Sequence, residues 1–447
     1  MRILQLTPGT GSFYCGSCLR DNALVRALRD VGHDAQIAPL YLPFKLEDAR
    51  GEGAGGARGT GDEVHMGGIN VYLQQFAPWL SHMPRFLAKA LDSPRLLRFV
   101  SARSNMTDPS GLGALTLSVL RGEEGRQVGE VDKLISWIKG LEKPDVILLS
   151  NAMLLGLARR IKEEVGCPVL CTLQGEAPFL DALSPKHSDA CWQTLTERAR
   201  DIAAFLPVSK YTGDLMGERL SLDPARVHVV HNGIELDEFR PSSAAPAQPT
   251  IGFLARLCAD KGLPQLVDAF IELHQRGSVA GLQLRAGGVC LSVDEPLVRA
   301  QEQKLRDAGI SVGPGAEAEI RRGLSVPEKL ELLQGSTLLS VPAEYGESFG
   351  LYLLEAMATG VPVVQPRIHG FPEVVEATGG GVLYEPGGKG PANALANALE
   401  GLLLEPGKAR ALGESARAAI QANFTTERMA RDVAEVCRMA AGMDAAS

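Results

Sequence analysis

Two glutamates eight residues apart are the first sign of chemistry in this chain. Residues 346–356 read GESFGLYLLEA, with Glu347 ahead of a Ser–Phe–Gly step and Glu355 among Leu353, Leu354, Ala356 and Met357. An ionised carboxylate in apolar surroundings is costly unless something hydrogen-bonds it, so Glu355 needs a partner from the protein or from a ligand. Two cations form the second sign. In GFLARLCADKGL, residues 252–263, Arg256 and Lys261 share one loop between a strand pattern and a helix pattern, and Gly262 eases close backbone approach. Cations at a helix start suit a diphosphate. The loop at residues 346–350, which includes Ser348, leads into a helix predicted to begin near Phe349 or Gly350. Its first amides lack intrahelical acceptors and carry partial positive charge, so they can also hold phosphate. Glu347 would then reach a neutral polyhydroxyl group beside the phosphate, and Glu355 a second hydroxyl pair. Together they bracket a sugar–diphosphate–ribose ligand.

The elements that must position these residues alternate along the chain. RILQLTP is a strand, residues 19–30 a helix ended by Gly32, and DAQIAPLY the next strand. PDVILLS, PVLCTLQ, AAFLPVS and RVHVVHN continue the strand series with helix patterns between them, which implies a doubly wound parallel sheet. RPSSAAPAQP, residues 240–249, has the composition of a linker. A second series follows: TIGFLAR, a helix at Leu263–Arg276, LQLRAGG, a helix ending near Asp307, then STLLSVPA, VPVVQP and GGVLYEP. In open sheets of this kind ligands bind at the carboxyl ends of the strands, where Arg256, Lys261 and Glu347 all fall. The predicted domains are 1–240, with an insertion at about 47–130, a linker at 241–249, a second domain at 250–424, and a C-terminal amphipathic helix within 425–447 that packs back across the junction.

The chain has 447 residues, enough for two domains, with 45% hydrophobic and 22% charged residues and a net charge of −8. That balance is ordinary for a soluble globular protein and argues against general nucleic-acid binding. No signal peptide or bilayer-length apolar run is legible, which predicts a cytoplasmic protein. The glycine-rich stretch EDARGEGAGGARG reads as mobile. Residues 84–103, PRFLAKALDSPRLLRFVSAR, mix basic and apolar side chains. A solvated helical insertion is the better reading there, with weak peripheral contact to an anionic membrane as its rival. Among 8 cysteines, Cys15 and Cys18 in CGSC are read as small residues of a tight loop beside a ligand rather than a redox pair. Cys167 and Cys171 are read as buried core thiols.

EYGESFGLYLLEAMATGVPVVQPRIHGFPEVVE resembles the E-x7-E region of retaining GT-B glycosyltransferases of the family 4 type. GFLARLCADKGL resembles that family's donor-phosphate loop, VVHNGIELDEF the segment before its interdomain linker, and RRGLSVPEKLELLQGS its base-side loop and helix. The resemblance implies a GT-B architecture of two Rossmann-like α/β domains facing a central cleft. It implies that Glu347 contacts the donor sugar and that Glu355 contacts the nucleotide ribose, which would be the partner its apolar helix requires. Arg256, Lys261 and the amides of Phe349, Gly350 and Leu351 would neutralise the diphosphate, with Ser348 also in the donor site. In the first domain TPGTGSFYCGSC resembles the glycine-rich first loop facing phosphate and acceptor, which points to Gly9, Gly11 and Ser12. CTLQGEAP lies where many relatives carry His, and here Gln174 and Glu176 stand in as donor-sugar contacts.

The expected function is transfer of a hexose-type sugar from a nucleotide diphosphate sugar to an acceptor hydroxyl, with retention. No metal or cofactor is expected, since Asp-x-Asp is absent and the cations can offset the leaving charge. Two rivals stand beside it: a GT-B nucleotide-sugar epimerase, separated by product analysis with and without acceptor, and a non-catalytic nucleotide-sugar-binding subunit, separated by slow donor hydrolysis.

Overall fold

In the computed structural model, residues 1–9, 16–41, 109–242, 245–387 and 391–443 are described. The chain divides into two units: Met1–His231 with Thr426–Ser447, and Asn232–Thr425. The basic stretch at 84–103, most of the expected insertion, and Gly11, Ser12 and Cys15 lie outside the described residues.

Short runs that are apolar on both faces become fully parallel strands, because only helix-covered sheets bury both sides. In the first unit these are β1 (Arg2–Thr7), β2 (Asp34–Pro39), β3 (Val146–Leu149), β4 (Val169–Leu173) and β5 (Ala204–Pro207), in the order β2-β1-β3-β4-β5. Residues alternate between two cores. Ile3, Val146, Leu170 and Ala204 pack beneath α1 (Gly16–Asp30) and the C-terminal helix Thr426–Ala440, while Leu4, Ile147, Val169 and Phe205 face the opposite helical layer. Met429, Val433 and Cys437 of the C-terminal helix share the first of these cores with Leu24 and Leu28 of α1. Cys167 and Cys171 are buried core thiols, and burial pushes the Cys171 thiol well above its ordinary pKa. The expected strand in RVHVVHN is absent. That segment follows β5 with a single bridge, Val227 to Phe205, and a further amide bond from Val230 to Pro207.

The second unit carries β6 (Thr250–Leu254), β7 (Gln283–Gly288), β8 (Ala318–Arg322), β9 (Leu338–Leu339), β10 (Val363–Pro366) and β11 (Gly381–Tyr384), in the order β11-β10-β9-β6-β7-β8. From β6 the chain winds one way through β7 to β8, and from β9 the other way through β10 to β11. The reversal lies between β6 and β9, and the loops leaving their carboxyl ends must diverge there and open a crevice. β8 has no counterpart in the sequence reading: its residues are AEIRR, an edge strand whose charged members hide the pattern. The boundary at His231–Asn232 falls ahead of the predicted linker. Residues 232–239 belong to the second unit because the Ile234 amide bonds to Phe424 and the Phe239 ring packs under Lys329.

Candidate functional site

Both loops at the reversal point of the second sheet contribute to one cluster. The loop after β6 ends at Gly262, which caps helix α2 (Leu263–Arg276) with φ 78°. A Cβ on Gly262 would collide with the carbonyl of Pro342, in the loop after β9. Only glycine satisfies both the left-handed backbone and this approach. The contact places Lys261 against the β9 loop, where its Nζ lies 2.6 Å from Oε2 of Glu347. The Tyr352 hydroxyl donates to the same oxygen at 2.8 Å, and the Phe349 amide also bonds to the carboxylate. Burial would push the Glu347 carboxyl up, but Lys261, Tyr352 and Phe349 together hold it below its ordinary value. Burial first, and then the charge of Glu347, drive the Tyr352 hydroxyl well above its ordinary pKa, so it stays a donor.

Helix α3 (Glu295–Asp307) follows β7, α4 (Val326–Gln334) follows β8, and α5 (Leu351–Ala358) follows the Glu347 loop. Gly350, at φ 82°, is the N-cap of α5, so the helix begins one or two residues later than the sequence suggested. A third loop, between β10 and helix α6 (Phe371–Thr378), closes on the site: the Gly370 amide donates to the Glu347 carbonyl at 3.0 Å. His369 in that loop donates from Nε2 to the Glu344 carbonyl at 3.1 Å.

Glu355 has its partner within the protein. Its Oε1 lies 3.0 Å from Nζ of Lys329 on α4, and both side chains are largely buried, at 12% and 17% exposure. Lys329 in turn sits 5.0 Å over the Phe239 ring. Of the two partners the sequence left open for Glu355, the protein or a ligand, the structure supplies one from the protein, where the family resemblance had pointed to a ribose. Arg256 likewise has a protein partner: Nε and Nη2 grip Asp294 at 2.7 and 3.1 Å. Asp294 lies in the loop after β7, and that loop is tied to the β6 loop by the Leu257 amide on the Val289 carbonyl. Two of the five guanidinium donors of Arg256 are thus engaged by Asp294. Lys329, Asp294 and Tyr352 were not singled out in the sequence. Tyr352, five residues after Glu347, was the one within local reach.

In the first unit, Gln174 and Glu176 stand at the carboxyl end of β4. Glu176 is buried, and its carboxylate accepts from the amides of Ala152 (2.9 Å), Gln174 (3.1 Å) and Gly175 (2.9 Å). Burial raises its carboxyl above the ordinary value against the pull of those amides. In this structure the Glu176 carboxylate pins the β4 loop to the β3 loop, a role within the protein that the sequence did not suggest. Gln174 assists, donating from Nε2 to the Ser150 carbonyl at 2.7 Å. Gly9, at φ 89°, ends the described part of the first loop. Cys18 is buried 3.6 Å from the Thr7 hydroxyl, and buried Asp21 of α1 pairs with Arg20 and with the Ser150 hydroxyl.

Among the described residues no group of three or more His, Cys, Asp or Glu could hold a metal ion, and no helix is long and apolar enough to cross a membrane.

Residues 236–419 match the family described as Glycosyl transferases group 1, and residues 66–238 match Glycosyltransferase Family 4. D-inositol 3-phosphate glycosyltransferase of Salinispora tropica is 28% identical over 91% of this chain and 87% of its own length. Alpha-maltose-1-phosphate synthase of Mycobacterium tuberculosis is 29% identical over 58% of this chain and 68% of its own. HepE of Anabaena, solved in complex with UDP, shares the fold at TM-score 0.66 and 17% identity, covering 98% of this chain and 100% of that one. Sucrose-phosphate synthase from Thermosynechococcus elongatus does so at TM-score 0.67 and 16% identity, covering 98% of each chain.

Proposed function

This chain is a GT-B glycosyltransferase of the family 4 type, and we propose that it moves a sugar from a nucleotide diphosphate sugar to an acceptor hydroxyl with retention and without a metal ion. The observation that carries this reading is the Lys261–Glu347 pair beside the N-terminus of α5, at the reversal point of the second sheet. Lys261, the remaining donors of Arg256 and the first amides of α5 offset the charge that develops on the departing diphosphate. Lys261 and Tyr352 hold Glu347 ionised, and its remaining lone pairs accept from sugar hydroxyls and orient the reacting carbon. Glu355 accepts from the ribose diol. The anomeric C–O bond to phosphate breaks, and the acceptor oxygen bonds to that carbon on the same face. The acceptor's proton passes to the phosphate oxygen that leaves, so no separate general base is needed.

HepE has been solved in complex with UDP-glucose, which makes that donor the first to try here. The basic and apolar composition of residues 84–103 leads us to expect binding to anionic vesicles that is weak and lost in high salt. The test is incubation with a panel of nucleotide sugars and acceptors, with the anomeric coupling of the product read by NMR, in the presence and absence of EDTA. A retained anomer formed at the same rate with chelator supports the reading. An inverted product, or a rate restored only by added metal, overturns it.

A further inference from the structure

Resting on the donor-site reading above, we propose that Lys329 is a positioning residue for the ribose: it pairs with Glu355 and aims it, and so sets how strongly the enzyme distinguishes ribonucleotides from deoxyribonucleotides. Glu355 lies on α5 between Leu354 and Ala356, both fully buried, and is itself only 12% exposed. A ribose diol is neutral. It can fill hydrogen-bonding positions on a carboxylate but cannot balance its charge, and the charge must be balanced before any nucleotide arrives.

Lys329 does this at 3.0 Å, from one side of one oxygen. An ionised carboxylate offers about four lone-pair positions, so the pair leaves capacity for two hydroxyl donors. Lys329 is itself held. It is carried by α4, whose first turn is fixed by the reciprocal capping of Ser325 and Glu328, and its ammonium lies 5.0 Å over the face of Phe239. Phe239 belongs to the segment tied to Phe424 through the Ile234 amide. The order of support runs from Phe239 to Lys329 to Glu355. None of the three needs to touch the sugar or the diphosphate, so the effect should appear in nucleotide recognition rather than in the rate of the chemical step.

The experiment measures Kd by calorimetry for UDP, GDP and ADP, and then for the 2′-deoxy and 3′-deoxy forms of whichever binds most tightly. The proteins are wild type, Lys329→Met, Lys329→Arg and Glu355→Gln. We expect wild type to prefer the ribonucleotide by about tenfold over at least one deoxy form. Lys329→Met should weaken the ribonucleotide five- to twentyfold and reduce that preference to twofold or less, with donor KM raised and kcat changed less than threefold. Lys329→Arg should restore most of the preference. A merely structural role would weaken ribo and deoxy forms alike, so full preference retained in Lys329→Met overturns the proposal, as does unchanged or tighter ribonucleotide binding. If Lys329→Met fails to fold, loss of the preference in Lys329→Gln with its retention in Lys329→Arg is the supporting result, and retention of the wild-type preference in Lys329→Gln overturns the proposal. If wild type shows no preference and Glu355→Gln binds the ribonucleotide as wild type does, the ribose reading itself fails and this proposal falls with it.

Discussion

Replacing Lys261 by Met should orphan a buried charge, and the consequences can be followed in three steps. In the native protein the Glu347 carboxylate, 12% exposed, accepts from Lys261 at 2.6 Å and from Tyr352 at 2.8 Å. Without Lys261 only a neutral hydroxyl and the Phe349 amide remain. Breaking a fully buried ion pair from one side costs about 3–5 kcal/mol. Lys261 is 31% exposed, so solvent screens part of the interaction and about 1–3 kcal/mol is the expected loss. For a unit of this size that lowers the Tm of its transition by about 2–10 °C. The loss depends on pH with a definite sign. In wild type the folded pKa of Glu347 lies below the ordinary carboxylate value, so its contribution is present above about pH 4.3 and disappears as pH falls through the lower folded value. In Lys261→Met burial dominates and the folded pKa rises, so the deficit against wild type is largest at neutral pH and shrinks towards pH 4. Calorimetric scans of wild type, Lys261→Met and Lys261→Met/Glu347→Gln at pH 7.5 and 4.5 read this directly. The double variant removes the orphaned charge and should recover most of the Tm while both remain impaired in kcat/KM, by about 10²–10³ for the single change. An equal loss at both pH values, or a double variant no more stable than the single one, would refute the reasoning.

Three further outcomes are expected. Gly262→Ala adds a Cβ against the Pro342 carbonyl at φ 78°, so the loop must move. Strain of about 1–2 kcal/mol and at least a tenfold fall in kcat/KM should result, measured by melting and initial rates. Tyr352→Phe removes one hydrogen bond to Glu347, a charged acceptor, at a cost of about 1.5–3 kcal/mol, to be read as a kcat/KM about ten- to 150-fold lower, and unchanged kinetics would remove Tyr352 from the site. Glu176→Gln sets an NH2 group among backbone amides that need an acceptor, so it should destabilise the first unit by about 1–3 kcal/mol and leave donor preference alone; a changed preference at unchanged stability would restore the sugar-contact role.

The reactive loops were legible in the sequence because their information is local. Arg256, Lys261, Glu347 and Gly350 each lie within a few residues of a strand end or a helix start, and α2 spans Leu263–Arg276, the range read from the sequence. Their partners were not legible. Asp294 is 38 residues from Arg256 and Lys329 is 26 from Glu355, and the winding order of the sheet, rather than any local pattern, brings them together. The apolar setting of Glu355 did announce that a partner existed; a lysine on a separate amphipathic helix carries no mark that it is the one. The backbone partners of Glu176 were hidden for a related reason. Its position suggested a ligand contact, and nothing local showed that the loop it sits in turns its amides onto the carboxylate. β8 was hidden by an edge composition rich in arginine, and RVHVVHN read as a strand although it makes a single bridge to β5 and stays outside the sheet's ladders.

In the proposed mechanism Glu347 and Glu355 read different parts of one donor. Calorimetric titration of Glu347→Gln and Glu355→Gln with a nucleoside diphosphate and with its sugar ester tests it most directly. Glu347→Gln should bind the bare diphosphate as wild type does but lose affinity for the nucleotide sugar, whereas Glu355→Gln should lose affinity for both to the same extent. Equal losses for both ligands in Glu347→Gln, or wild-type affinity for both in Glu355→Gln, would contradict it.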